Sequence, residues 1–168
     1  LKHTKVFYSS LDLKSKELEI DEYDSTYDVF NSGLIGLENS RISTKIGILK
    51  SKKAVTNPNF APIFIDYLSQ IDSSFLNPDS PDTIAVSLTG SFPGANIALF
   101  SVCKSLNIHP IIISSMGSST WGANQEEMTW LDIENYLFEH EIFRYRSSAF
   151  SLGGDNDIMS ELDDEIKG

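Results

Sequence analysis

Between Thr83 and Ser114 the chain reads as a short apolar run, "TIAV", a loop of hydroxyls and glycines, "SLTGSFPGAN", a periodic apolar segment, "IALFSVCKSL", and a second apolar run, "HPIIIS". That order restricts the fold more than any other feature. Short apolar runs of this kind suit strands buried on both faces, and a helix placed between two of them joins parallel neighbours through a right-handed crossover. The spacing predicts a strand over Thr83 to Val86, a helix over Ala95 to Leu106 closed by a left-handed cap at Asn107, and a strand over His109 to Ser114.

The pattern repeats downstream. Thr129 stands three residues before Asp132, the spacing of a capping box, and opens a helix through Leu131, Ile133, Tyr136, Leu137 and Phe138; a last strand follows over Ser147 to Leu152. Upstream, "GLIGLE" (Gly33 to Glu38) reads as a short extended segment. A polar loop leads from it to an amphipathic helix over Asn59 to Gln70, with Phe60, Ile63, Phe64, Tyr67 and Leu68 on one face and Asn57-Pro58 as its cap and first position. Strands alternating with helices imply an α/β fold: a three-layer α/β/α Rossmann-like sandwich with a mainly parallel sheet.

With 168 residues, 40% of them apolar, the chain holds enough hydrophobic surface for one domain with its own core. The expected division is an irregular or helical lead-in over residues 1–31, a single α/β domain over 32–154 and an acidic, flexible tail over 155–168. The single cysteine, Cys103, excludes an internal disulfide, and its place in a periodic apolar segment favours burial over reactivity.

Charge narrows the function classes. A formal net charge of −11 disfavours nucleic-acid binding, because a phosphate backbone needs concentrated positive charge. The one dense basic run, "KIGILKSKK" over Lys45 to Lys53, is read as part of the polar loop; Lys50 and Lys52 either face solvent there or neutralise a ligand carboxylate. No G-x-x-x-x-G-K-[ST] loop occurs and no G-x-G-x-x-G follows a strand, so no cofactor is expected. The absence of a Cys/His cluster argues against a metal, Asp155 and Asp157 making only a weak oxygen-ligand pattern. No stretch approaches the roughly 20 apolar residues of a membrane span, and no signal peptide is recognisable.

In parallel α/β sheets, ligands collect beyond the carboxyl ends of the strands, where loops enter helix N-termini whose N–H groups favour anions. Two loops are expected at that edge. The first carries Thr89, Gly90, Ser91, Phe92 and Asn96; the second carries Ser115, Gly117, Ser119, Trp121 and Asn124. Both suit either a polar ligand pocket or tight, capped turns. A serine nucleophile elbow is not matched, since Gly90-Ser91-Phe92-Pro93-Gly94 places phenylalanine at the nucleophile position. His109 and His140 sit at element ends, where a structural role is sufficient. Glu38 is the candidate general base by elimination, or else a loop carboxylate.

The segments "SGLIGLENSRIST", "TNPNFAPIFIDYL", "AVSLTGSFPGANIAL", "IIISSMGSSTWGAN", "TWLDIE" and "RSSAFSLGG", taken in this order over roughly Ser32 to Gly154, resemble the poly-gamma-glutamate system protein family. The resemblance implies an accessory part in bacterial poly-gamma-glutamate biosynthesis or export, with poly-gamma-glutamate synthesis proteins as partners and a small anionic ligand. It assigns no reaction or catalytic residue. It also implies a hydrophobic N-terminal segment and hence membrane association of the full-length protein; this chain instead starts at Leu1 and passes from "SLGG" directly into "DNDIMSELDDE". Over Ser87 to Ser91 alone the chain is also similar to the sugar isomerase family of phosphosugar-binding domains, which leaves an enzyme as an alternative. A third is a scaffold that docks on synthesis partners through the loop edge and Trp121.

Overall fold

The computed structural model describes Tyr27, Asp28 and residues 32–159; most of the expected lead-in and the tail beyond Met159 lie outside the described residues. Among the described residues the elements run β1 (Ser43–Lys45), α1 (Leu49–Val55), α2 (Ala61–Ile71), β2 (Thr83–Thr89), α3 (Pro93–Leu106), β3 (His109–Ser115), β4 (Ser118–Ser119), β5 (Asn124–Gln125), β6 (Met128–Thr129), α4 (Trp130–Glu139) and β7 (Ser147–Ser151). The chain is a mixed α/β domain with small parallel sheets. Strands β2, β3 and β7 form one of them in that order, with Thr83 opposite His109 and Thr89 opposite Ser115. Both expected caps form: Asn107 adopts a left-handed conformation (φ 56°), and Thr129 and Asp132 make the reciprocal bonds of a capping box.

Sequential strand order has a consequence for layering. Each crossover steps the same way across the sheet, so right-handed connections place α3 and α4 on the same face. There Leu88 and Ile112 from the sheet meet Ile97, Phe100 and Cys103 from α3 and Trp130, Ile133 and Leu137 from α4. Phe100 is the hub, its ring centroid 5.7 Å from Trp130, 5.6 Å from Phe143 and 5.4 Å from Tyr145, all in tilted or edge-on arrangements that suit aromatic quadrupoles.

The other face stays open among the described residues: Ala85 and Ser87 are exposed, and Ile111 and Ile113 are 49% and 54% exposed. The expected burial of the strands on both faces is therefore met on one face among the described residues. An apolar run shows that a strand tolerates burial, whereas the path of the connections decides which face is covered.

The segment expected as a polar loop is more ordered than its composition suggests. β1 pairs in parallel with β4, Ser43 opposite Ser118 and Lys45 opposite Ser119, and α1 occupies the centre of the basic run. Its seven residues, "LKSKKAV", are too few to show a helical period. In α2 the inward positions are Leu68, Phe64 and Ile65, while Ile63 and Tyr67 are exposed, a rotation from the predicted face. The predicted extended segment at Gly33 to Glu38 is not part of a strand; it exchanges backbone bonds with Trp121, from the Gly36 N–H to the Trp121 carbonyl at 3.3 Å and from the Trp121 N–H to the Leu37 carbonyl at 2.8 Å, and side-chain bonds with Asn124 hold it further. Among the described residues, no helix is long and apolar enough to cross a membrane.

A polar network ties α4 to the sheet within this core. The buried Glu134 carboxylate accepts from the Ser147 N–H and hydroxyl, both at 2.8 Å, while the Ser147 hydroxyl lies 2.7 Å and the Trp130 indole nitrogen 3.2 Å from Ser114 Oγ. Truncating one member of such a network leaves buried donors unpaired. Glu134→Ala is expected to cost about 2–3 kcal/mol, by the loss of two hydrogen bonds to the carboxylate and the desolvation of the orphaned Ser147 N–H, the hydroxyl keeping Ser114 Oγ as acceptor. Urea denaturation measures it, and a loss below about 0.5 kcal/mol would show that water replaces the carboxylate.

Candidate functional site

The strand ends and their loops converge as the sequence suggests. Ser91 closes the turn after β2: its N–H donates to Thr89 Oγ1 at 3.2 Å, and its hydroxyl accepts from Thr89 Oγ1 at 3.2 Å and from the Ser119 N–H at 3.0 Å. The Ala123 N–H donates to the Gly90 carbonyl at 2.8 Å. Each loop is therefore built on the other. Gly90 and Gly122 allow the approach, because a Cβ at Gly122 would lie 2.7 Å from the Gly90 carbonyl oxygen and 2.9 Å from Ser91 Cα.

Lys52 enters this junction from α1. Its side chain is 2% exposed, and its ammonium donates to the Ser91 carbonyl and, at 2.6 Å, to Ser119 Oγ. The same nitrogen sits 4.0 Å from the centroid of the Phe92 ring, a cation–π arrangement. Burial lowers the Lys52 pKa from 10.5 to about 8, because water is withdrawn from the charged form. The ion pairs formed among the described residues are Arg41–Glu126 and Lys45–Asp155, so within that set Lys52 has no carboxylate partner.

A cavity of about 340 Å³ opens beside it, lined among others by Thr44, Lys45, Ser51, Lys52, Ser91, Phe92 and Ser119. Phe92 is the N-cap residue of α3, which has no side-chain capping bond, so the positive end of that helix dipole adjoins the cavity wall. Among the described residues on the lining, the two charged side chains, Lys45 and Lys52, are cationic in a chain whose formal net charge is −11. Lys45 opens the basic run, and nothing in its local sequence separates it from the other lysines there.

The other expected residues take different places. Lys50 is exposed on α1 and lies outside the cavity lining, and both Lys50 and Lys52 are helical rather than on a loop. Asn96 is buried and donates to the Thr89 carbonyl at 3.0 Å. Asn124 is fully buried; its carbonyl oxygen accepts from the Leu37 N–H at 2.8 Å, and its amide donates to the Leu37 carbonyl and Ser43 Oγ at 2.9 Å each. Ser115 ends β3 beside Thr89, and the Gly117 N–H donates to the Leu152 carbonyl at 2.8 Å. Trp121, in a left-handed conformation (φ 66°), packs its ring 4.9 Å from Tyr27.

Glu38 is exposed and lies outside the cavity lining. Asp155 pairs with Lys45 at 3.0 Å, and Asp157 accepts from the Gly153 N–H at 2.6 Å. Cys103 is buried and its pKa is pushed up by burial to about 12, which suits an inert core thiol. No family model matches this chain, and no curated protein and no solved structure matches it either.

Proposed function

We propose that the chain is an accessory component of bacterial poly-gamma-glutamate biosynthesis or export, and that it binds a carboxylate-bearing ligand, glutamate or a γ-glutamyl chain, in the Lys52 cavity. One observation carries the reading: among the described residues, a buried lysine without a carboxylate partner faces a cavity whose only other charged described lining residue is also a lysine. A buried ammonium is costly unless paired, and a ligand anion supplies the missing charge. The uncapped end of α3 adds to the same field. Association with poly-gamma-glutamate synthesis proteins and attachment to a membrane belong to this proposal, as does a further layer over Ile111 and Ile113 that would complete a three-layer Rossmann-like sandwich.

Calorimetric titration with L-glutamate, D-glutamate, short γ-glutamyl oligomers and a sugar phosphate tests the ligand. Saturable binding of the γ-glutamyl oligomers is expected, weakened at least tenfold in Lys52→Met, about 1.4 kcal/mol or more of affinity. Tighter binding of the sugar phosphate would transfer the site to the phosphosugar alternative. Folded protein that takes up none of them would leave the partner-docking scaffold.

A further inference from the structure

The contact between Lys52 and Ser119 has a chemical consequence beyond binding. We propose that Ser119 and Lys52 form a nucleophile–base pair for acyl transfer, acting on an amide or ester whose acyl group carries a carboxylate. The proposal rests on the Lys52 cavity being the ligand site and adds a reaction to it.

Three features support it. Ser119 Oγ and Lys52 Nζ are 2.6 Å apart, within the distance for direct proton transfer, and both residues line the same 340 Å³ cavity. Ser119 is held in place: β4 pairs it with Lys45 of β1, and its N–H donates to Ser91 Oγ at 3.0 Å. Finally, the depressed Lys52 pKa gives an appreciable neutral fraction near pH 8, whereas an ordinary lysine is almost wholly protonated there.

The step balances without a further cofactor. Neutral Lys52 takes the Ser119 hydroxyl proton as Oγ attacks the acyl carbon; the carbonyl π pair moves to oxygen and gives a tetrahedral anion. When that anion collapses, the bond to the leaving amine or alcohol breaks and the Lys52 ammonium returns its proton to the leaving atom. A water or an acceptor amine then attacks the acyl-Ser119 ester with Lys52 again as base; the acyl carbon–Oγ bond breaks, the Lys52 ammonium returns the proton to Ser119 Oγ, and the acid or a new amide is released. The positive end of α3 lies at the cavity wall where the transient anion forms.

Among the described residues the charged groups around Lys52 are few. Lys50 and Lys53 share its helix, Lys53 standing over the Tyr27 ring; Lys45 comes from β1 and is paired with Asp155. The stretches Thr89–Phe92 and Met116–Asn124 contribute no ionisable side chain. Burial keeps the Lys52 pKa low, so the rate should rise with pH through about 8.

Two experiments on the folded chain decide it. In the first, Ser119→Cys is alkylated with iodoacetamide across pH 5 to 10, Cys103 serving as the buried internal control. The introduced thiol is expected to ionise well below the ordinary value of about 8.5, and to return to it in a Lys52→Met background. An ordinary thiol in both backgrounds would overturn the pairing. In the second, a γ-glutamyl p-nitrophenyl ester is incubated with the protein, and the adduct is located by peptide mass spectrometry. Acylation at Ser119, reduced at least a hundredfold in Lys52→Met and Ser119→Ala, is expected; acylation elsewhere, or none, would overturn the reaction. Calorimetry on Ser119→Ala with γ-glutamyl oligomers keeps the two readings apart. Binding without acylation of the wild type defeats only the reaction, and loss of binding in the folded wild type defeats the ligand site.

Discussion

Gly36→Ala is expected to destabilise the domain by more than about 3 kcal/mol, at the severe end of single substitutions. A Cβ at this position would fall well inside van der Waals contact of both the Gly122 carbonyl oxygen and Asn124 Oδ1. Neither neighbour can move aside freely. Asn124 is fully buried and bonded three ways, to the Leu37 N–H, the Leu37 carbonyl and Ser43 Oγ, while Gly122 is wedged against Gly90 and Ser91. The added methyl must therefore push the Gly33 to Glu38 segment off the loop, breaking the Leu37–Asn124 bonds and exposing Leu34 and Ile35. Thermal and urea unfolding measure the loss, and a midpoint within error of the wild type would show that the two segments are looser than their bonding implies. Because this loop also carries Ser119, γ-glutamyl binding should weaken in the same variant.

Comparing Lys52→Met with the wild type across pH is expected to expose the cost of the buried ammonium. Burial lowers Lys52 from 10.5 to about 8, so between those values the unfolded chain binds a proton that the folded chain does not. Stability contributed by this group therefore rises with pH over that window and is lost as pH falls through about 8. The difference in unfolding free energy should move in favour of the wild type by up to about 3 kcal/mol between pH 7 and 10.5, at 1.36 kcal/mol per pKa unit. The wild type alone hides part of this. Burial raises Cys103 from 9.0 and Tyr145 from 10.0, each to about 12, so both lower stability above their unfolded pKa values. Those contributions are common to both proteins and cancel in the difference. A difference that stays flat would mean that Lys52 keeps an ordinary pKa, and the pH dependence expected of the Ser119 reaction would go with it.

Much of the scaffold was legible in the residues, because the signals that mark it are local. Apolar runs of strand length, a helical period over Ala95 to Leu106, Asn107 in place for a left-handed cap and the Thr129–Asp132 spacing each act over a few bonds. The site was legible only in outline. Hydroxyl loops after β2 and β3 marked the edge, and the basic run marked Lys52, yet Thr89, Asn96 and Asn124 hold backbone in place instead of lining the cavity. Polar side chains serve turns and ligands through the same hydrogen bonds, so composition alone does not separate the two uses.

Local sequence thus determined the order of β2, α3, β3, α4 and β7 and that the strands run parallel, but not every boundary: β2 runs on to Thr89 where the apolar run ends at Val86, and α3 starts at Pro93, two residues before the expected Ala95. Tertiary structure decided the rest. The sequential order β2-β3-β7 sends α3 and α4 to one face and leaves Ile111 and Ile113 on the other. A seven-residue helix and two strands of three and two residues carry too little pattern to be read, since their stability comes from pairing across 74 positions in the chain. That pairing brings Lys52 against Ser119, 67 residues away, and withdraws its ammonium from water. A depressed lysine pKa is a property of burial, and burial exists only after the chain has closed.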